Sequence, residues 1–265
     1  MKLNIVPART GVTWVRLGIR TFFKQPLAMS ALFFTFVIFM SFASLLPFVG
    51  SVLVLALLPA ITLGLMAATL EATNGKFPMP TVLLSAFRAG RQRLRAMLVL
   101  GALYAAGFLL IVGLTVLVDG GDFARLYLLG GKITDEVAQQ PRFQLAMWVA
   151  LALYAPLSML FWHAPALVHW HGVAPVQSLF YSGVACLRNF WALTVYGLVW
   201  LAVFMGVGVV LSVVLLLVGM PESAPAVMLP TALTLASMFF TSLYFTFRDS
   251  FVADEPPAAE PVDLP

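Results

Sequence analysis

QPLAMSALFFTFVIFMSFASLLPFVGSVLVLALLPAITLGLMAATL, residues 25–70, runs for 46 positions without an Asp, Glu, Lys or Arg. A helix needs about 20 apolar residues to cross a hydrocarbon core of about 30 Å. The stretch is too long for one crossing and suits two, with Pro47 and Gly50 marking the turn between them. Uncharged runs also cover residues 96–118, 143–187, 189–221 and 223–247. Together they predict helices at 27–46, 52–70, 97–118, 143–162, 190–218 and 227–247. The fold class is therefore an all-α integral membrane protein with six transmembrane helices. Composition agrees, since only 10% of residues are charged and 62% are hydrophobic, against about 25% charged in soluble domains.

Charge gives the expected orientation. Twelve of the 15 basic residues fall on one side of the predicted bilayer: Lys2, Arg9, Arg16, Arg20, Lys24, Lys76, Arg88, Arg91, Arg93, Arg95, Arg188 and Arg248. Arg125, Lys132 and Arg142 fall on the other. Basic residues stay preferentially in the cytoplasm, which predicts cytoplasmic N- and C-termini. The formal net charge of +4 belongs to this asymmetry and argues against nucleic acid as a partner. The opening MKLNIVPARTG does not read as a cleavable signal. Residues 1–250 read as one helical membrane domain, and the acidic, proline-rich residues 251–265 as a disordered cytoplasmic tail. In the large outer loop, FARLYLL reads as a short helix over the mouth of the bundle.

Three segments share a pattern: GVTWVRLGIRTFFKQPLAMS from Gly11, MPTVLLSAFRAGRQRLRAMLVLG from Met79 and VAPVQSLFYSGVACLRNFWALTVYG from Val173. Each places a short amphipathic helix and a cation before a span. Gly18, Gly90 and Gly183 precede Lys24, Arg95 and Arg188 by five or six residues. The expectation is three units, each an interfacial helix followed by a transmembrane hairpin. In the first, Val12, Val15, Ile19 and Phe22 form an apolar side, and Arg16, Arg20 and Lys24 a cationic i,i+4 stripe. In the second, Leu84, Phe87, Leu94 and Leu98 oppose Arg88, Arg91 and Arg95. Such stripes anchor a chain at bilayer lipids and suit anionic headgroups. Ala56, Ala60, Gly64 and Ala68 recur every fourth residue and form a helix-packing seam, with a dimer surface as the alternative.

FWHAPALVHWHG, residues 161–172, holds all three histidines, His163, His169 and His171. They are weak metal candidates. On a helix, positions two apart diverge by about 200°, no carboxylate is nearby, and Cys186 is the only thiol. No metal or other cofactor is expected. Trp162 and Trp170 favour an interfacial, structural reading of the cluster. Tyr104, Tyr154, Ser158, Tyr196, Ser212, Thr234, Ser237 and Tyr244 line either a polar route or ordinary interhelical hydrogen bonds. No catalytic motif stands out.

PARTGVTWVRLGIRTFFKQP, FPMPTVLLSAFRAG and LFWHAPALVHWHGVAPVQSLFYSGVACLRNFWAL resemble a family of uncharacterised multi-span inner-membrane proteins of beta-proteobacteria, over nearly all of residues 1–250. More distantly, residues 164–191 resemble the membrane domain attached to some glycerophosphodiester phosphodiesterases. In that domain a short helix precedes an asparagine–aromatic pair, here Asn189 and Phe190. Both likenesses imply a helical membrane fold and transfer no catalytic residue. The leading functional expectation is a non-enzymatic scaffold or accessory protein that organises lipid or an unidentified membrane-protein partner. A small-solute or lipid transporter is the alternative, and a membrane-embedded enzyme comes third.

Overall fold

The computed structural model describes residues 2–46, 49–131 and 134–252. Pro47, Lys132 and residues 253–265 of the expected tail lie outside the described residues. The chain is helical nearly throughout: α1 (Thr10–Lys24), α2 (Pro26–Ser44), α3 (Val49–Thr73), α4 (Ser85–Arg88), α5 (Arg91–Asp119), α6 (Asp122–Leu129), α7 (Asp135–Ala138), α8 (Pro141–Trp162), α9 (Ala164–His171), α10 (Pro175–Arg188), α11 (Phe190–Leu217) and α12 (Ala224–Ser250). Among the described residues, six helices are long and apolar enough to cross a membrane: α2, α3, α5, α8 with its continuation α9, α11 and α12. The fold is an all-α integral membrane protein with six spanning helices, as the uncharged runs require. At 28 residues, α11 is about 42 Å long, so it exceeds the hydrocarbon thickness and must tilt or project.

The spanning helices differ in how much protein covers them. Half of the apolar window of α3 is buried, against 6% for α11. Helix α3 is therefore the central element, packed on α2, α5 and α12. Helix α11 presents Leu198, Leu201, Met205, Val209 and Val213 outward. In lipid such exposure carries no penalty, because the surrounding chains are as apolar as the side chains.

The element order places α1 before the α2–α3 pair, α4 before α5 and α8, and α10 before α11 and α12. The three landmark glycines do different physical work, however. Gly18 lies against the backbone of Ser242 on α12, where a Cβ would sit 2.8 Å from the Ser242 Cα. Gly90 has φ +91° and separates α4 from α5, with open space where a Cβ would be. Gly183 approaches only the end of the Leu160 side chain. The second unit consequently departs from expectation. Pro80–Leu84 forms a 3₁₀ turn, α4 follows, and Gly90 interrupts the helix, so Leu94 and Leu98 belong to the span α5.

Helix α1 also departs from the predicted arrangement. Its buried face is Gly11, Trp14, Val15, Gly18, Thr21 and Phe22, seated mainly on α11 and α12, while Val12 is exposed. The reason is steric. Hydropathy favours the branched aliphatics, but close backbone approach is possible only where the two glycines are. Trp14, fully buried, follows them inward and donates its indole N–H to Asp249 Oδ2 at 2.9 Å.

Both chain ends meet at one end of the bundle. Lys2–Leu3 (β1) pairs antiparallel with Phe251–Val252 (β2), so Phe251 and Val252, expected in the tail, are part of the fold. Asn189, 2% exposed, ties this clasp together. Its Oδ1 accepts from the Val6 N–H at 2.9 Å, and its Nδ2 donates to the Asn4 carbonyl at 3.1 Å and to Ser250 Oγ at 3.3 Å. The resemblance singled out this residue; the contacts supply its physical role.

A second junction lies between α8 and α9. Pro165 has no N–H and crowds the carbonyl four residues back, so the helix breaks at His163. Ser182 of α10 enters the opened ladder, accepting from the His163 N–H at 2.9 Å and donating to the Met159 carbonyl at 2.8 Å. A buried hydroxyl thus replaces one backbone hydrogen bond and holds the kink. Ser182→Ala is expected to cost about 2 kcal/mol, since it strands the buried His163 N–H and leaves the Met159 carbonyl only the Cys186 thiol. A fall in the thermal midpoint in detergent checks this, with recovery in Ser182→Thr if its hydroxyl retains the same pair.

Candidate functional site

The end of the bundle that carries the β1–β2 pair also carries the two basic stripes. Arg16, Arg20 and Lys24 are exposed along α1. Arg88 on α4 and Arg91 and Arg95 at the start of α5 are likewise exposed. Gln25 connects the two groups by donating Nε2–H to the Lys76 carbonyl at 3.0 Å. The stripes are therefore placed on the outside of one end of the molecule, clear of the packed seam of α1.

The small-residue seam lies inside the chain. Gly101 of α5 crosses α3 at Ala56, and a Cβ on Gly64 would meet Leu83 Cα at 2.8 Å. Ala60 and Ala68 are buried.

The histidines are spread apart by α9. His163 is buried at the kink, its ring 5.5 Å from that of Phe251 and 6.0 Å from that of Phe247. His171 is exposed with its ring 5.9 Å from Phe247, whereas His169 turns toward α3, α4 and α5. Among the described residues, no group of three His, Cys, Asp or Glu side chains is placed to hold a metal ion. Cys186 lies beside Ser182 in α10, and burial pushes its thiol up to about 12, so it is held as the thiol.

Most candidate route-lining hydroxyls make a hydrogen bond within the protein, some between helices and some within one helix. Tyr196 Oη shares a 2.6 Å hydrogen bond with Ser242 Oγ, which also accepts from Trp200 Nε1 at 3.2 Å. Ser237 donates to the Met29 carbonyl, while Ser158, Ser212 and Thr234 donate to carbonyls of their own helices. Tyr104 and Tyr154 join at 3.2 Å beside a gap of about 200 Å³ between α3, α5, α8 and α12, lined also by Thr62 and by Pro59. Sequence reasoning missed the Ser242 node, whose partners Gly18, Tyr196 and Trp200 come from two distant segments. At the opposite end, Asp119 caps the turn into α6 by accepting from the Gly121 and Phe123 N–H groups, and α6 covers an apolar cleft of about 490 Å³ between α5 and α8.

Six apolar spans, a cationic end and, among the described residues, no buried Asp, Glu, Lys or Arg define a multi-pass helical membrane protein. The chain is 40% identical over 261 residues to a probable inner membrane protein of Burkholderia thailandensis, with 97% of each chain covered. It belongs to that inner-membrane protein family, and the inner membrane is where its six spans reside. No protein-family model matches the chain, and no solved structure matches it. The more distant likeness to the membrane domain of glycerophosphodiester phosphodiesterases gains no support from these comparisons.

Proposed function

We propose that this protein is a non-enzymatic accessory protein of the inner membrane. It gathers anionic lipid at a cytoplasmic edge and presents that edge to a membrane-protein partner, with both termini in the cytoplasm. The observation that carries the reading is the exposure of Arg16, Arg20, Lys24, Arg88, Arg91 and Arg95 at one end of the bundle, while Tyr196 and Ser237 in its interior are held in hydrogen bonds between helices. Each exposed cation near an anionic surface contributes about 1 kcal/mol. The test is extraction of the protein with its surrounding lipid, followed by lipid analysis. Phosphatidylglycerol and cardiolipin are expected to be enriched over phosphatidylethanolamine. Enrichment should fall severalfold when Arg16, Arg20 and Lys24 are all replaced by Gln. Unchanged enrichment, or termini found outside by reporter fusions, sinks the proposal.

A transporter is the second reading, favoured by the gap beside Tyr104 and Tyr154. Reaction of Ser158→Cys with a membrane-impermeant maleimide, above the background from buried Cys186, would move the assignment to transport.

A further inference from the structure

A concave pocket of about 620 Å³ opens beside the basic stripe, where the end of α3, the connection to α4, the start of α5 and the end of α9 converge. Glu71, Lys76, Ser85, Arg88, Arg93 and His169 line it. Lys76, Arg93 and Glu71 lie outside both predicted stripes, and the fold alone brings His169 to them. We propose that this pocket binds a phosphate monoester group.

Three observations converge on that ligand. Lys76, Arg88 and Arg93 contribute three positive charges and Glu71 one negative, leaving +2, and none of these four has an ion-pair partner among the described residues. A phosphate monoester carries about −1.5 to −2 at neutral pH, so it neutralises the pocket where a phosphodiester would satisfy half. The first turn of α5 borders the pocket at Arg93, and no side chain caps that helix N-terminus. His169 Nδ1 is buried without a hydrogen-bond partner in the protein, although its ring lines the pocket.

The pocket is larger than a phosphate group. Glu71 is an acceptor for hydroxyls on the remainder of the ligand, and Phe77 and Met79 at the rim are 64% and 63% exposed. The phosphate belongs either to a lipid headgroup, whose chains reach the bilayer past Phe77 and Met79, or to a soluble metabolite. This inference deepens the lipid-gathering reading and shares only Arg88 with it; Lys76, Arg93, Glu71 and His169 belong to the pocket alone, so the two fail separately.

The experiment uses the full chain in phosphatidylcholine nanodiscs. Binding of dioctanoyl phosphatidate, dioctanoyl phosphatidylglycerol and glycerol 3-phosphate is followed by native mass spectrometry and calorimetry. Phosphatidate is expected to bind at least tenfold more tightly than phosphatidylglycerol if the source is lipid; glycerol 3-phosphate is expected to match phosphatidate if it is soluble. Arg88→Gln with Arg93→Gln should weaken either ligand at least tenfold, and Lys76→Gln should do so severalfold. Arg16→Gln with Arg20→Gln should weaken phosphatidate and phosphatidylglycerol alike, by less than the pocket variants, and leave the preference for the monoester unchanged. Equal losses from the pocket and α1 variants, or no preference for the monoester, would overturn the proposal. Because all the replaced residues are exposed, unaltered thermal midpoints are expected and are checked alongside binding.

Discussion

Gly18→Leu is expected to destabilise the folded protein by about 3 kcal/mol or more, through overpacking that neither helix can relieve. The new side chain would have to displace the backbone of Ser242, whose hydroxyl joins Tyr196 and Trp200. Moving α12 away would also separate Trp14 from Asp249. The loss is large against a typical total stability of about 5–15 kcal/mol. It should appear as a marked fall in the thermal midpoint and a shift in tryptophan emission. Gly197→Leu provides the control, since nothing lies within 4 Å of a Cβ there. That change should be neutral within about 0.5 kcal/mol or slightly stabilising. Equal effects at both positions would remove the case for a steric seam between α1 and α12.

Asn189→Ala is expected to cost about 3 kcal/mol, because it leaves the Val6 N–H and the Asn4 carbonyl without their partner. Asn189→Asp keeps the acceptor for Val6 but sets a carboxylate oxygen against the Asn4 carbonyl in a buried site, so a loss at least as large is expected. Hydrogen exchange measured by mass spectrometry separates a local from a global effect. In Asn189→Ala, residues 2–6 should lose protection while the central part of α3 retains it. Unchanged exchange near Val6 would show that β1 is held by its pairing with Phe251 and Val252 alone.

The two variants probe features of different visibility in the sequence. Gly18 stood out as a landmark, but its use as a contact with α12 depends on a residue 224 positions away. Asn189 stood out through resemblance, while its hydrogen-bond partners come from both chain ends. The exposed stripe of α1 was legible because Arg16, Arg20 and Lys24 share one helical side whatever that helix packs on. Its buried side was not, since a 15-residue helix with apolar residues around much of its circumference offers more than one seam. The Lys76, Arg93 and His169 cluster was also hidden, because α9 reaches it only after the chain has crossed the bilayer twice more.

The membrane class, the six spans and the cation-rich end can be read along the chain without any knowledge of how it packs. These follow from local quantities: the length of an uncharged run against the thickness of hydrocarbon, and the cost of moving charge across it. Tertiary structure alone decided which face of α1 turns inward, that Ser182 completes the broken helix at His163, and that the histidines part. Those outcomes depend on backbone approach and on hydrogen-bond partners far apart in the chain, where hydropathy carries no information.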